Sequence, residues 1–203
     1  MPITRRSILS LVGATALVRP AFAAPTASGP YGERSIGSPS APVTAHEYFS
    51  LTCTHCAHFA TVTMPQVKPD LVDTGKLRIV YHDFPLDQVA LKAAQISRYL
   101  PADEYYAFIE ALFASQDDWA FQPNEDYHAS IFKYAVLAGM DQATYETAWN
   151  DAKLAQFIID EENTAQKQFS IKATPTFIIN GRVYPGAMEY DDFAALVTKA
   201  AGG

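Results

Sequence analysis

Two cysteines occur in the 203-residue chain, three positions apart, in Cys53-Thr54-His55-Cys56. Two thiols at that spacing on the first turn of a helix can close a small disulfide, and the first lies among the free backbone N–H groups that stabilise a thiolate. The chemistry this predicts is thiol–disulfide exchange. A Cys53 thiolate favoured by the helix start and by His55 stabilises the dithiol and makes the disulfide easier to give away, with a thiol pKa in the range of roughly 3.5–7.5 found in such motifs. His58 lies one turn below His55 and reads as a surface or packing residue. Two rival uses of the pair stay open. Zinc would take both cysteines with His55 or His58, but a structural site needs four closed ligands and the chain has no second Cys-x-x-Cys. A purely structural disulfide would close so short a loop that it adds little constraint to the unfolded chain.

The elements that must hold this pair are readable on either side of it. An apolar, β-branched and aromatic run from Pro42 to Leu51 predicts a buried strand, about Val43 to Phe49, while Cys56, Phe59, Ala60 and Thr63 repeat at helical spacing. Glu47 sits inside the strand, so it either points to a sheet rim or lies buried beneath the cysteines. Buried, it is a proton carrier for Cys56 or a satisfied structural carboxylate. The helix is expected to run through Phe59, Val62 and Val67, with kinks or breaks at Pro65 and near Pro69, and to end at Asp73-Thr74-Gly75. Lys76 to Asp83 is a second strand, stopped by Pro85.

From Leu86 to Phe169 the pattern is helical. Val89, Ala93, Ile96 and Leu100 line one helix; Tyr105, Phe108, Ile109, Leu112 and Phe113 a second; Tyr127, Ile131, Tyr134, Ala135 and Ala138 a third. Gly139 predicts a C-cap and Asp141 the N-cap of a helix through Tyr145, Ala148 and Trp149; a last segment carries Leu154, Ile158, Ala165 and Phe169. Trp119 and Phe121 fall in a loop and are expected to be exposed. The sheet resumes at Thr176 to Ile179, turns at Asn180-Gly181 and continues through Arg182-Val183-Tyr184, before a closing helix of about Asp191 to Lys199. Strand, helix, strand, helical insertion, hairpin and helix fit a mixed sheet covered by helices on both sides.

The N-terminus carries Arg5-Arg6, an apolar run through Val18, and Arg19-Pro20-Ala21-Phe22-Ala23, the pattern of a cleavable export signal cut after Ala23. Thr4-Arg5-Arg6-x-Ile8-Leu9 is similar to the twin-arginine type, with the general secretory route as the alternative. Export leads to an oxidising compartment in which a cysteine pair persists as a disulfide. Residues 24–41, rich in Pro, Gly, Ser and Ala, are expected to be a flexible leader. The whole chain has 15 basic and 22 acidic residues; removing Arg5, Arg6 and Arg19, and no acid, leaves 12 against 22, a net −10. That disfavours a nucleic-acid partner. No later stretch approaches the roughly 18 apolar residues of a membrane span.

Three motifs carry a family resemblance. Glu47-Tyr48-Phe49-Ser50 running into Cys53-x-His55-Cys56, the strand end Asp83-Phe84-Pro85, and Thr174-Pro175-Thr176-Phe177 before the hairpin resemble the DsbA-like class of periplasmic thiol–disulfide oxidoreductases. The likeness runs from about Pro39 to the end of the chain. It implies an α/β protein, a thioredoxin fold with an inserted helical domain: first half 42–85, insertion 86–169, second half 170–203. It implies Cys53 as nucleophile, Cys56 as buried resolving thiol, His55 as a support for the thiolate and Pro175 as a cis-proline facing the pair. Thr174, before that proline, carries a hydroxyl able to reach a sulfur. Thr54 stands where relatives often have Pro, and Thr174 where the strongest oxidases tend to have Val; both bear on the redox potential.

The implied activity is donation of the Cys53–Cys56 disulfide to unfolded or folding exported proteins with free cysteines, in the periplasm, by a monomer that a quinone-linked membrane partner reoxidises. No cofactor or metal is implied. A disulfide isomerase or dedicated reductase of the same fold is the alternative, although isomerases of this fold are dimers with a separate N-terminal domain, for which residues 24–41 are too few. A chaperone-like binding module is a third reading, against which the intact cysteine pair stands.

Overall fold

The first long strand, Val43–Phe49, alternates in burial from Val43 to Glu47 and is buried throughout its last three residues. In the computed structural model, which describes residues 29–122 and 126–202, β1 spans Arg34–Ile36, β2 Val43–Phe49 and β3 Leu77–Asp83, with β4 at Thr176–Ile179 and β5 at Arg182–Pro185. They form one sheet in the order β1-β3-β2-β4-β5. β2 and β3 are parallel, which requires a crossover, and the helix that starts at Cys53 supplies it. β4 runs antiparallel to β2 with Glu47 opposite Phe177, and β5 returns from β4 through Asn180 and Gly181, whose φ values of 48° and 72° are those of a two-residue hairpin turn.

Among the described residues, six helices lie between β3 and β4: α3 Gln88–Tyr99, α4 Tyr105–Ala114, α5 Gln116–Trp119, α6 Tyr127–Leu137, α7 Gln142–Trp149 and α8 Ala152–Phe169. Asp87, Asp126, Asp141 and Asp151 cap α3, α6, α7 and α8 by accepting hydrogen bonds from first-turn N–H groups, the role their short carboxylates suit. The last helix, α9, spans Tyr190–Ala201. The largest of three buried clusters among the described residues runs from the sheet into the helices: Phe59, Phe177 and Phe193 form a triangle with centroids 4.7–5.3 Å apart, and Phe49 packs edge-on against Phe113 of α4 at 5.8 Å.

The crossover helix departs from expectation. α1, Thr54–His58, and α2, Met64–Val67, join without a break through a π-helical turn at Phe59–Thr63, and a second π turn follows at Lys68–Val72. Met64 N–H reaches back five residues to the Phe59 carbonyl, and Asp73 N–H to that of Lys68 at 2.8 Å. The wide turns pass over the bonds that Pro65 and Pro69 cannot donate, so the helix continues where kinks or breaks were expected. They also rotate Val62 to the surface, where it is 46% exposed.

Two further expectations are corrected. Within 24–41, residues 34–36 form β1, antiparallel to β3, and Arg34 is buried rather than part of a flexible leader. Its Nη2 donates to the Arg98 carbonyl at 2.7 Å, and Arg98 in turn donates to the Pro30 and Gly32 carbonyls and pairs with buried Asp83. This edge is held by guanidinium bonds, not by an apolar stripe. Trp119 is fully buried at the end of α5, its indole N–H donating to the Leu112 carbonyl at 2.8 Å; Phe121 is exposed as expected. The expected export signal, residues 1–23, lies outside the described residues.

Candidate active site

β2 delivers the chain to the cysteines, and hydrogen bonds from two helices fix the loop between. Cys53 is the N-cap of α1, with extended φ and ψ of −87° and 119°, and its Sγ accepts from Cys56 N–H at 3.4 Å. The Cys53 N–H donates to the Ser50 carbonyl at 3.0 Å. Ser50 Oγ accepts from Leu86 N–H at 3.2 Å, and the Thr52 hydroxyl donates to Asp87 Oδ2 at 2.7 Å, the same carboxylate that caps α3. From the helical insertion, buried Gln116 donates through Nε2 to the Leu51 and Cys53 carbonyls at 2.7 and 3.2 Å. Thr52, Asp87 and Gln116 were not singled out from sequence; Gln116 stands in a polar stretch, Ser115 to Asp118, with no spacing that marks it.

The pair is in its dithiol form, with Cys56 sealed and Cys53 7% exposed. Residues 121 positions later close over it: the Cys53 S–H donates to the Thr174 carbonyl at 3.2 Å, and the Thr174–Pro175 peptide is cis. The Pro175 carbonyl accepts from Gly186 N–H at 2.8 Å, tying this loop to the end of β5. The Thr174 hydroxyl is buried beside the sulfur and favours its anion, yet it makes no hydrogen bond of regular geometry in the dithiol.

The two sulfurs are driven apart in acidity. The Cys56 thiol, the Thr174 side chain and the Cys56 and His55 backbone N–H groups outweigh burial and hold Cys53 at about 5. Burial first, then the adjacent Cys53 sulfur and the charge of Glu47, push Cys56 well above the usual thiol value.

His55 differs from expectation in how it contributes. Its side chain is exposed and makes no hydrogen bond or ion pair with the described residues; its support for Cys53 comes from its backbone N–H. On this first turn Cys56 faces inward to the Cys53 sulfur while His55 faces solvent, so adjacency in sequence does not bring the imidazole to the sulfur. His58 faces solvent, 3.1 Å from Glu189. Glu47 is buried, 3% exposed, on the strand beneath the pair, and accepts no hydrogen bond from the described residues; desolvation raises its carboxyl to about 8. The structure thus gathers Cys53, Cys56, Thr174 and Pro175 at one point, sets Glu47 below them, and leaves the His55 ring outside. Among the described residues, no group of three or more His, Cys, Asp or Glu side chains converges as a metal site would require, and no helix is long and apolar enough to cross a membrane.

A mixed sheet crossed by a helix that opens on Cys-x-x-Cys, faced by a cis-proline, defines a thioredoxin-fold dithiol protein. The sequence profile of the family described as Thioredoxin matches residues 31–199, and the chain belongs to that family, in its DsbA-like branch. The crystal structure of alpha-DsbA1 from Wolbachia pipientis superposes with a TM-score of 0.78 at 31% identity, over 84% of this chain and 92% of that one. Oxidised BdbD from Bacillus subtilis shares the fold at 21% identity, with a TM-score of 0.71 over 87% and 97% of the two chains. A putative protein-disulfide oxidoreductase of Rickettsia felis is 28% identical over 81% of this chain; the chain spans 59% of that relative's length.

Proposed function

We propose that this chain is a thiol–disulfide oxidoreductase that donates the Cys53–Cys56 disulfide to exported proteins. One observation carries the reading: the opposite acidities of the two sulfurs, Cys53 held at about 5 and Cys56 raised well above the ordinary thiol value. A sulfur that is a good anion in the folded dithiol is a good leaving group, and its disulfide is weak.

In the forward direction a substrate thiolate attacks Cys53 Sγ, its electron pair forming the mixed disulfide as the Cys53–Cys56 bond breaks. Cys56 leaves as a thiolate in an apolar site that disfavours the charge, and it takes a proton from Glu47, whose raised pKa keeps it protonated at neutral pH. The substrate's second thiolate then attacks its own sulfur in the mixed disulfide. Cys53 is expelled as a stabilised thiolate, and the substrate keeps the new disulfide. The two electrons gained pass to a membrane partner, quinone-linked by the family resemblance. Thr174 and Pro175 hold the loop beside the reacting sulfur, and His55 contributes its amide. The export signal read at the N-terminus directs this chemistry to the periplasm.

Equilibration with glutathione buffers of known ratio tests the reading. The account expects a potential above about −200 mV, on the oxidising side of the roughly −270 mV of thioredoxin. A value near the latter makes the dedicated reductase the better description.

A further inference from the structure

Glu47 can serve Cys56 only if its own proton is replaced from solvent, and it is almost wholly shut away. The register of β2 on β3 sets Tyr81 opposite Glu47. Tyr81 is 4% exposed, and its buried hydroxyl has no hydrogen-bond partner among the described residues, which costs stability wherever nothing compensates it. Tyr106 of α4 stacks on it, ring centroids 5.9 Å apart and planes 25° from parallel, and its hydroxyl donates to Glu110 Oε1 at 3.4 Å. Tyr106 and Glu110 are both partly exposed. All four polar groups line one narrow cavity of about 10 Å³, otherwise walled by apolar side chains that include Phe59, Met64 and Phe113. That is room for about one water. The neighbouring Tyr105 hydroxyl is not available to this cavity's chain, because it donates to Asp83 at 3.2 Å.

We infer that Tyr81 and Tyr106 are positioning residues for proton transfer, their hydroxyls and one water linking Glu47 to the partly exposed Glu110. The inference rests on the reading of Glu47 as proton donor to Cys56. A phenol both donates and accepts, so each can pass a proton without ionising. Burial, the first cause of the raised pKa at both rings, keeps them neutral. The groups facing Glu47 are Cys56 from α1, Tyr81 from β3, and Tyr106 and Glu110 from α4, while β4 presents Phe177. When the disulfide is reduced, Glu47 gives its proton to the Cys56 thiolate. One proton then moves inward from solvent through Glu110, Tyr106 and Tyr81 to the Glu47 carboxylate, and the direction reverses on reoxidation.

Rapid mixing of the oxidised protein with dithiothreitol, followed by ultraviolet thiolate absorbance in light and heavy water across about pH 5 to 9, tests this route. Glu47→Gln is expected to slow reduction by about 100-fold and to lose the break near pH 8, the low end of what a positioned proton donor contributes. Tyr81→Phe and Tyr106→Phe are each expected to slow it by about tenfold above that break, where Glu47 must first take up a proton through the chain, and to raise the solvent isotope effect there, with the equilibrium constant against dithiothreitol unchanged. Should Tyr81→Phe fail to fold, Tyr106→Phe and Glu110→Gln carry the same test at the partly exposed end. Wild-type rates and isotope effects in the tyrosine variants, with Glu47→Gln slow, overturn the route and leave the role of Glu47 standing. Slowing accompanied by a changed equilibrium constant also overturns it, since a packing defect moves both. A wild-type rate in Glu47→Gln removes the reading beneath the route.

Discussion

The Cys53 S–H donates to the Thr174 carbonyl at 3.2 Å, joining the cap of α1 to a strand entry 121 residues further along the chain. The neutral thiol is therefore held from both halves of the thioredoxin fold; its acidity comes from the Cys56 thiol, the Thr174 side chain and the Cys56 and His55 N–H groups, an arrangement that exists in the folded state alone. Unfolding returns that thiol to its ordinary value of 9.0.

Reduction is consequently predicted to stabilise the protein at neutral pH, contrary to the usual effect of a disulfide. Because the folded pKa is depressed, the thiolate's contribution is complete above about pH 9 and is lost as pH falls through about 5. At pH 7 it amounts to about 2 to 3 kcal/mol after allowance for solvent screening, against roughly 2 kcal/mol from closing the short loop. Paired urea melts should show the dithiol form ahead at pH 7, the order crossing at about pH 6 to 7, and the disulfide form ahead at pH 5. A disulfide form that is more stable at every pH sinks this prediction.

Glu47 gives the opposite sign. Its pKa is raised on folding, so the stability it permits is complete below its ordinary value of 4.5 and is lost as pH rises through about 8. Glu47→Gln abolishes that slope and is predicted to gain up to roughly 3 kcal/mol over the wild type at pH 7, less whatever its own buried amide costs. Denaturant melts across this pH window check it in either redox form, and an unchanged slope would mean that Glu47 does not titrate there.

Gln116→Ala removes the donor that the helical insertion extends to the Leu51 and Cys53 carbonyls. Cys53 still accepts from Ala57 N–H at 3.0 Å, so the loss falls mainly on Leu51. The expected cost is about 1–3 kcal/mol, with a Cys53 pKa that rises as the loop loosens. Melts and thiolate titration of the variant test both parts; a change within about 0.5 kcal/mol would mark Gln116 as incidental.

How much of this was legible in the sequence depends on where each signal resides. Tyr105, Phe108, Ile109, Leu112 and Phe113 repeat at helical spacing, and all five are buried on α4. Asn180-Gly181 marks its hairpin by local turn chemistry alone. Trp119 was misjudged because its burial depends on how α5 folds back on α4, and its polar neighbours Asp117 and Asp118 hide that. β1 has no apolar period to detect; Arg34 and Arg98 order it through backbone carbonyls far apart in the chain. At the site, residue types revealed Cys53 and Cys56, and the family resemblance Thr174 and Pro175, but not direction: the His55 ring turns outward, and Tyr81 becomes a neighbour of Glu47 only through strand register.

The central claim is that one thiol of the pair is a stabilised anion and the other is not. Ultraviolet thiolate absorbance of the reduced protein, titrated with pH and joined to alkylation and mass mapping of the modified residue, tests it most directly. The account predicts one thiolate appearing at about pH 5, mapped to Cys53, with Cys56 remaining protonated through neutrality. No thiolate below about pH 8, the behaviour of ordinary thiols, or a first ionisation that maps to Cys56, would contradict it.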